Sequence, residues 1–270
     1  MPRSYNWEIV TSLLAVDIGN TNITIGAFEG QELVATWRLA TRETRTIDEH
    51  AWAIDGVLRS KDVEPSSFDS VVICSVVPPL TDKYVSALSS LIDVSPLVIG
   101  PGVRTGIRIH YDRTQDVGAD RIVDAVAAHH LYGGPIVVVD IGTATVFDAI
   151  TADADYIGGA ISPGLEIAAD AMFRNTSQLR RVELIAPDQV IGRSTVASMQ
   201  SGFVFGFAEL IKGMLARFKN ELNPDAPDDV TVVATGGLAN LMADHVETFD
   251  YVNPELTLIG LRIVHEMNNS

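Results

Sequence analysis

Two short acidic turns in this chain have the residue types needed to hold a polyphosphate. The first lies in Leu13 to Gly26, LLAVDIGNTNITIG, where an apolar run meets Asp17 and the polar turn Gly19-Asn20-Thr21-Asn22 leads into the alternating strand Ile23 to Phe28. A glycine lets such a turn approach a ligand closely, and backbone N–H groups with Thr and Asn side chains can cradle phosphate. An aspartate repels phosphate oxygens unless a cation lies between, so Asp17 implies a metal ion, Mg²⁺ held partly through water. The second turn lies in Ile136 to Thr145, IVVVDIGTAT, with Asp140, Gly142 and the threonines Thr143 and Thr145. One Asp-x-Gly-x-Thr marks many plain turns. Two copies in equivalent positions of two halves point to a paired phosphate site.

Other residues admit two readings each. In Gly118-Ala119-Asp120-Arg121, Asp120 is either the N-cap of the apolar helix that follows or the acceptor of a hydrogen bond from a substrate hydroxyl, with Arg121 pairing a carboxylate. An ordinary aspartate suffices for the second role, because a loose phosphoryl-transfer transition state needs the hydroxyl proton only late. Thr195, in IGRST, divides in the same way between cap and ligand. Thr235-Gly236-Gly237-Leu238 is either a plain turn or bare backbone that admits the flat face of a base or ribose. Arg104, Arg108 and Arg113 lie in a polar loop of function-bearing length, and the reading favoured for any one of them is that it balances a neighbouring surface acid. His129 and His130 are adjacent, face different ways on a helix and receive no role.

The elements that must position these residues follow from periodicity. Gln31 to Ala40 continues the first hairpin into a meander. Thr46, with Glu49 three residues on, opens a helix to Ser60. Val71 to Val77 is a buried strand ended by Pro78-Pro79, then come a helix over Thr81 to Leu91 and a strand over Leu97 to Ile99. After the loop and a helix stopping at Gly133-Gly134, the order repeats: strands Ile136 to Asp140, Val146 to Thr151 and Tyr156 to Ser162, then helices. Ser194 or Thr195 caps a long helix from Val196 to about Asn220, in which Gly202, Gly206 and Gly213 allow close approach by another backbone. Strand Val230 to Ala234 and a helix over Leu256 to Met267 close the chain.

Composition sets limits. The 270 residues, 47% hydrophobic, can bury a sizeable core. A net charge of −16 argues against wholesale binding to nucleic acid or an anionic membrane. The lone Cys74 falls in an apolar run, which suits a reducing cytoplasm, and no run reaches bilayer length.

Taken together, DIGNTNIT (Asp17 to Thr24), GADR, DIGTAT, GGAISPG (Gly158 to Gly164), IGRST and ATGGL (Ala234 to Leu238) resemble the type III pantothenate kinases, from Leu13 to the end of the chain. The resemblance implies an α/β fold of two RNase H-like domains of the acetate kinase, sugar kinase, Hsp70 and actin superfamily, ATP in the interdomain cleft, and phosphorylation of pantothenate to 4′-phosphopantothenate, the first step of coenzyme A biosynthesis. It implies a homodimer and a monovalent cation, K⁺ or NH₄⁺. By residue, Asp17, Ile18, Gly19, Asn20, Thr21, Asn22, Ile23 and Thr24 resemble the first phosphate loop, with Asp17 directing Mg²⁺. Thr143 resembles the second ATP contact, joined by the Gly236-Gly237 turn, and Asp140 the monovalent-cation ligand. Asp120 resembles the general base, and Tyr111, Gly118, Ala119, Arg121 and Thr195 the pantothenate contacts. Domains are expected over residues 13–132 and 133–270, after an extension, 1–12. Arg113-Thr114 stands where similar proteins often have Asn-Pro. Two rivals are a non-catalytic regulatory protein and a kinase of another small hydroxy acid or sugar, separable by turnover and by a substrate panel.

Overall fold

The computed structural model describes residues 12–177 and 179–269, so the first eleven positions of the expected extension lie outside the described residues. The chain opens with β1 (Ser12–Ile18), β2 (Asn22–Glu29) and β3 (Glu32–Ala40), an antiparallel meander in which Asp17 stands opposite Thr24 and Thr24 opposite Arg38. Gly30, at φ 59°, makes the β2–β3 turn. Helix α1 (Ile47–Arg59) starts on the expected capping box of Thr46 and Glu49. It is followed by β4 (Ser70–Ser75), α2 (Pro78–Ile92) and β5 (Leu97–Val98). The strand expected to reach Val77 stops at Ser75, and the two prolines open α2 because a first-turn N–H needs no helical partner.

β4 and β5 extend the sheet in parallel on the other side of β1, giving the order β3-β2-β1-β4-β5. β1 is central and covered on both faces, which explains its unbroken apolar run. One face packs Val16, Ile18, Ile23 and Ile25 against Ile54 and Leu58 of α1 and Leu80, Tyr84 and Leu88 of α2.

Next come β6 (Arg108–Ile109), α3 (Ala119–Tyr132), β7 (Ile136–Ile141), β8 (Ala144–Ile150) and β9 (Asp155–Pro163). They are followed by α4 (Leu165–Asn175), α5 (Thr195–Leu222), β10 (Thr231–Thr235), α6 (Ala239–Ala243), β11 (Tyr251–Val252) and α7 (Leu256–Asn269). The second sheet runs β11-β10-β7-β8-β9-β6. Apart from edge strand β6 it repeats the first: an antiparallel meander from its first strand, and two parallel strands on that strand's other side. This is the RNase H-like arrangement, present twice. Its core joins Val137, Val139, Ile141 and Phe147 to Phe203, Val204, Ile211 and Leu215 of α5.

By internal contacts, the described part of Met1–Thr105 with Gly118–Val123 and Thr257–Ser270 forms one compact unit, and Gly106–Val117 with Asp124–Leu256 the other. The division differs from the sequence boundary after residue 132. The last helix groups with the first unit, since Leu258 fills the space that a side chain at Gly26 would take and Gly260 lets α7 abut Val123. Residues 106–117 group with the second because β6 pairs with β9 through Arg108–Asp155 and Ile109–Tyr156. Among the described residues no helix is long and apolar enough to cross a membrane.

Candidate active site

In the first unit, Asp17 is the penultimate residue of β1 and half-buried. The turn after it is closed by the Gly19 N–H, which donates to the Asn22 carbonyl at 3.0 Å. A Cβ at position 19 would press on that same oxygen at 3.0 Å, so glycine keeps the turn tight. Asn20, Thr21 and Asn22 are exposed and Thr24 is half-buried, whereas the side chains of Ile18 and Ile23 lie in the core. Those isoleucines anchor the hairpin and leave only their backbone for a ligand. From the end of β3, Thr41 donates its hydroxyl to the Gly19 carbonyl at 2.6 Å and its N–H to the Thr21 carbonyl at 3.0 Å.

The tetrapeptide Gly118 to Arg121 starts α3, and Asp120 is not the cap of that helix. The Ile122 N–H donates to the Gly118 carbonyl at 3.3 Å, which puts Asp120 inside the first turn rather than at its cap. Asp120 accepts the Arg121 N–H at 2.8 Å. Gly118 leaves room for this carboxylate, since a Cβ there would press on the Asp120 oxygen and displace it. The same Cβ would lie 3.7 Å from Val76, whose N–H bonds to the Ile18 carbonyl at 3.1 Å. The tetrapeptide therefore sits at the end of the sheet that carries Asp17. Burial pushes the Asp120 carboxyl above its ordinary value, opposed by the Arg121 N–H and guanidinium. Arg121 is buried.

In the second unit Asp140 is again the penultimate residue of its strand, β7, and half-buried. The turn closes through the Gly142 N–H to the Ala144 carbonyl at 2.9 Å, with Thr143 exposed at its tip. Two more glycines press on this tip. Gly236, at φ 91°, follows β10 where Thr235 pairs with Asp140, and a Cβ there would collide with the Asp140 carboxylate and approach the Ile141 nitrogen to 2.7 Å. Gly164 faces the Gly142 and Thr143 carbonyls so closely that no side chain fits. Leu238 ties the Gly236-Gly237 turn down by donating its N–H to the Ile141 carbonyl at 3.0 Å. Asp140, Thr143 and this turn are thus gathered by one strand pairing, while Thr145 points into the core and its hydroxyl has no hydrogen-bond partner among the described residues.

Tyr111 and Thr195 also belong to the second unit. Tyr111 faces Gly158 and lines a cavity of about 550 Å³ with His110, Asp112, Phe218 and Glu221. Thr195 is exposed in the first turn of α5, and Ser194 is the cap, accepting the Ala197 N–H at 3.2 Å. Two of the three loop arginines take their structural reading: Arg108 pairs with Asp155 at 2.5 Å and Arg113 with Asp116 at 3.5 Å. Sequence reasoning missed Thr41 and Val76. Each follows a strand end by one residue, and only the strand pairing brings it to the first turn.

Residues 13–217 match the family model described as type III pantothenate kinase. The chain is 46% identical over 256 residues to the type III pantothenate kinase of Moorella thermoacetica, covering 95% of this chain and 99% of that one. It is 45% identical over 258 residues to that of a Dehalococcoides mccartyi strain, covering 96% and 98%. Among solved structures, a Campylobacter jejuni protein assigned to the Baf family of transcriptional activators superposes with a TM-score of 0.59 at 20% identity, over 94% of this chain and 98% of that one. The polyphosphate/ATP-glucomannokinase of an Arthrobacter strain gives 0.51 at 15% identity, over 95% and 99%. These two likenesses carry the fold alone. The match of sequence carries more: the chain belongs to the type III pantothenate kinase family.

Proposed function

We propose that this protein transfers the γ-phosphoryl group of ATP to the primary hydroxyl of pantothenate, giving 4′-phosphopantothenate and so opening coenzyme A biosynthesis. The observation that carries the reading is the duplicated acidic hairpin, one per unit, together with a third carboxylate, Asp120, at the same sheet end as Asp17. Asp17 and the Gly19 to Thr24 turn would hold the phosphates with Mg²⁺, and Thr143 with the Gly236-Gly237 turn would hold the nucleotide from the second unit. Asp120 orients the acceptor hydroxyl and takes its proton late in transfer, while Arg121, Gly118, Ala119, Tyr111 and Thr195 bind pantothenate. A cation near Asp140 would be K⁺ or NH₄⁺.

The residues fit such ions in a particular way. Among the described residues no three His, Cys, Asp or Glu side chains gather as a metal nest. Single carboxylates at Asp17 and Asp140, the latter cradled where Gly142 and Gly236 leave out their side chains, suit ions whose shells are completed by phosphate and water. Bound there, a cation would offset the charge that builds on the transferring group. A homodimer belongs to the same reading. It is supported by exposed apolar side chains of the second unit, Ile161, Phe173, Val190 and Ile191, and by open space at Gly202, Gly206 and Gly213 of α5. A cytoplasmic site of action is supported by the buried lone Cys74.

The test is a coupled assay with pantothenate, ATP and Mg²⁺ in Na⁺, K⁺ or NH₄⁺ salts. Formation of 4′-phosphopantothenate that depends on K⁺ or NH₄⁺ is expected; no product in any salt would end the proposal. Nucleotide binding without turnover would favour a regulatory protein on this fold instead.

A further inference from the structure

Thr41 lies outside every motif named above, yet it makes two hydrogen bonds to the first acidic turn. Its hydroxyl binds the Gly19 carbonyl at 2.6 Å and its N–H the Thr21 carbonyl at 3.0 Å. A carbonyl oxygen repels phosphate, so a turn that is to accept phosphate must direct its carbonyls elsewhere. Here both point at one residue. Thr41 is itself braced: it begins a segment whose Glu43 and Arg45 carbonyls accept the Lys83 ammonium of α2 at 2.7 and 2.8 Å, and which ends in the Thr46 cap of α1. The turn is therefore joined to the two helices beneath the sheet through a short link held by hydrogen bonds at Thr41, Glu43, Arg45 and Thr46.

We propose that Thr41 is a positioning residue for phosphoryl transfer, holding the Gly19 and Thr21 carbonyls away from the nucleotide so that the turn is set for phosphate before ATP arrives. The inference rests on the kinase reading of that turn. Valine in its place keeps the shape and the backbone N–H but removes the hydroxyl donor; serine keeps the donor.

The experiment is calorimetric titration of the full-length protein with Mg²⁺ and a non-hydrolysable ATP analogue, alongside thermal unfolding and the KM for pantothenate. Thr41→Val should weaken nucleotide binding about 10-fold, as expected for one neutral hydrogen bond that also orders a loop. Thr41→Ser should stay within about threefold of the parent protein. For both, the pantothenate KM should hold within about twofold and the melting temperature within about 3 °C, since the bond is a single half-buried one in a long chain. Unchanged nucleotide binding in Thr41→Val, or a Thr41→Ser as weak as Thr41→Val, would overturn the role. So would an equal loss for both substrates accompanied by a lowered melting temperature. A parent protein that binds no nucleotide would overturn the kinase reading itself, and this inference with it.

Discussion

Asp120 is pulled in two directions. Burial raises its carboxyl above the ordinary value, whereas the Arg121 N–H at 2.8 Å and the Arg121 charge favour ionisation, burial being the larger influence. A carboxylate whose value is raised on folding is ionised at neutral pH at a cost to stability, and that cost disappears as pH falls and the group takes up its proton. A base raised in this way is also better matched to accepting a proton. Asp120→Asn keeps an oxygen for the Arg121 N–H and removes the charge. It should lower kcat by roughly 100-fold or more while leaving nucleotide affinity and the melting temperature at pH 7 to 8 undiminished. A melting temperature several degrees below that of the parent protein would mean that the carboxylate serves the fold instead. In the parent protein, the acidic limb of kcat against pH should lie above the range of an ordinary aspartate.

At the scale of elements, the α1–α2 pair contains a buried histidine. His50 of α1 is 1% exposed, packs its ring 4.8 Å from that of Tyr84, and has no hydrogen-bond partner on either ring nitrogen among the described residues. Burial, and then the charges of Lys83 and Arg45, lower its value; Glu49 acts weakly the other way. Burial likewise pushes the Tyr84 hydroxyl up to about 12. The unfolded chain therefore binds a proton at His50 that the folded chain resists. Stability from this group is present above its ordinary value near 6.5 and is lost as pH falls through the lowered one. His50→Phe, which fills the same space without a titrating group, should show a smaller drop in melting temperature between pH 7 and pH 5. Equal drops in the two proteins would place the acid sensitivity elsewhere, with His265, whose value burial also lowers, the next group to replace.

For the whole molecule, the apolar surface of the second unit gives the proposed homodimer a direct test. Ile161 is 66% exposed on β9 and Ile191 82% exposed just before α5. Side chains of this kind lose favourable burial when left in water, which makes them the residues to test at the proposed interface. Light scattering should give a mass twice the 29.1 kDa of one chain. Ile161→Asp with Ile191→Asp should bring it to that of one chain. A single-chain mass for the parent protein, or an undisturbed dimer in the double variant, would rule this surface out. The three glycines of α5 bear on the same question: among the described residues a Cβ at any of them meets nothing within 4 Å.

What the sequence determined alone is what neighbours along the chain decide. An apolar run ending in Asp-x-Gly announces a buried strand and a tight polar turn, Thr46 with Glu49 announces a helix start, and the repetition of the first pattern at Asp140 announces a duplicated fold. The residue types proposed for the chemistry were legible for the same reason. Tertiary structure decided the rest, because strand register and helix packing depend on residues far apart in sequence. It moved the last helix to the first unit through Leu258 and Gly260, made β6 from two residues of a loop by pairing them with β9, and set Gly236 against Asp140 across β7 and β10. It also brought Thr41 onto the Gly19 turn, by a hydrogen bond between residues 22 apart in the chain.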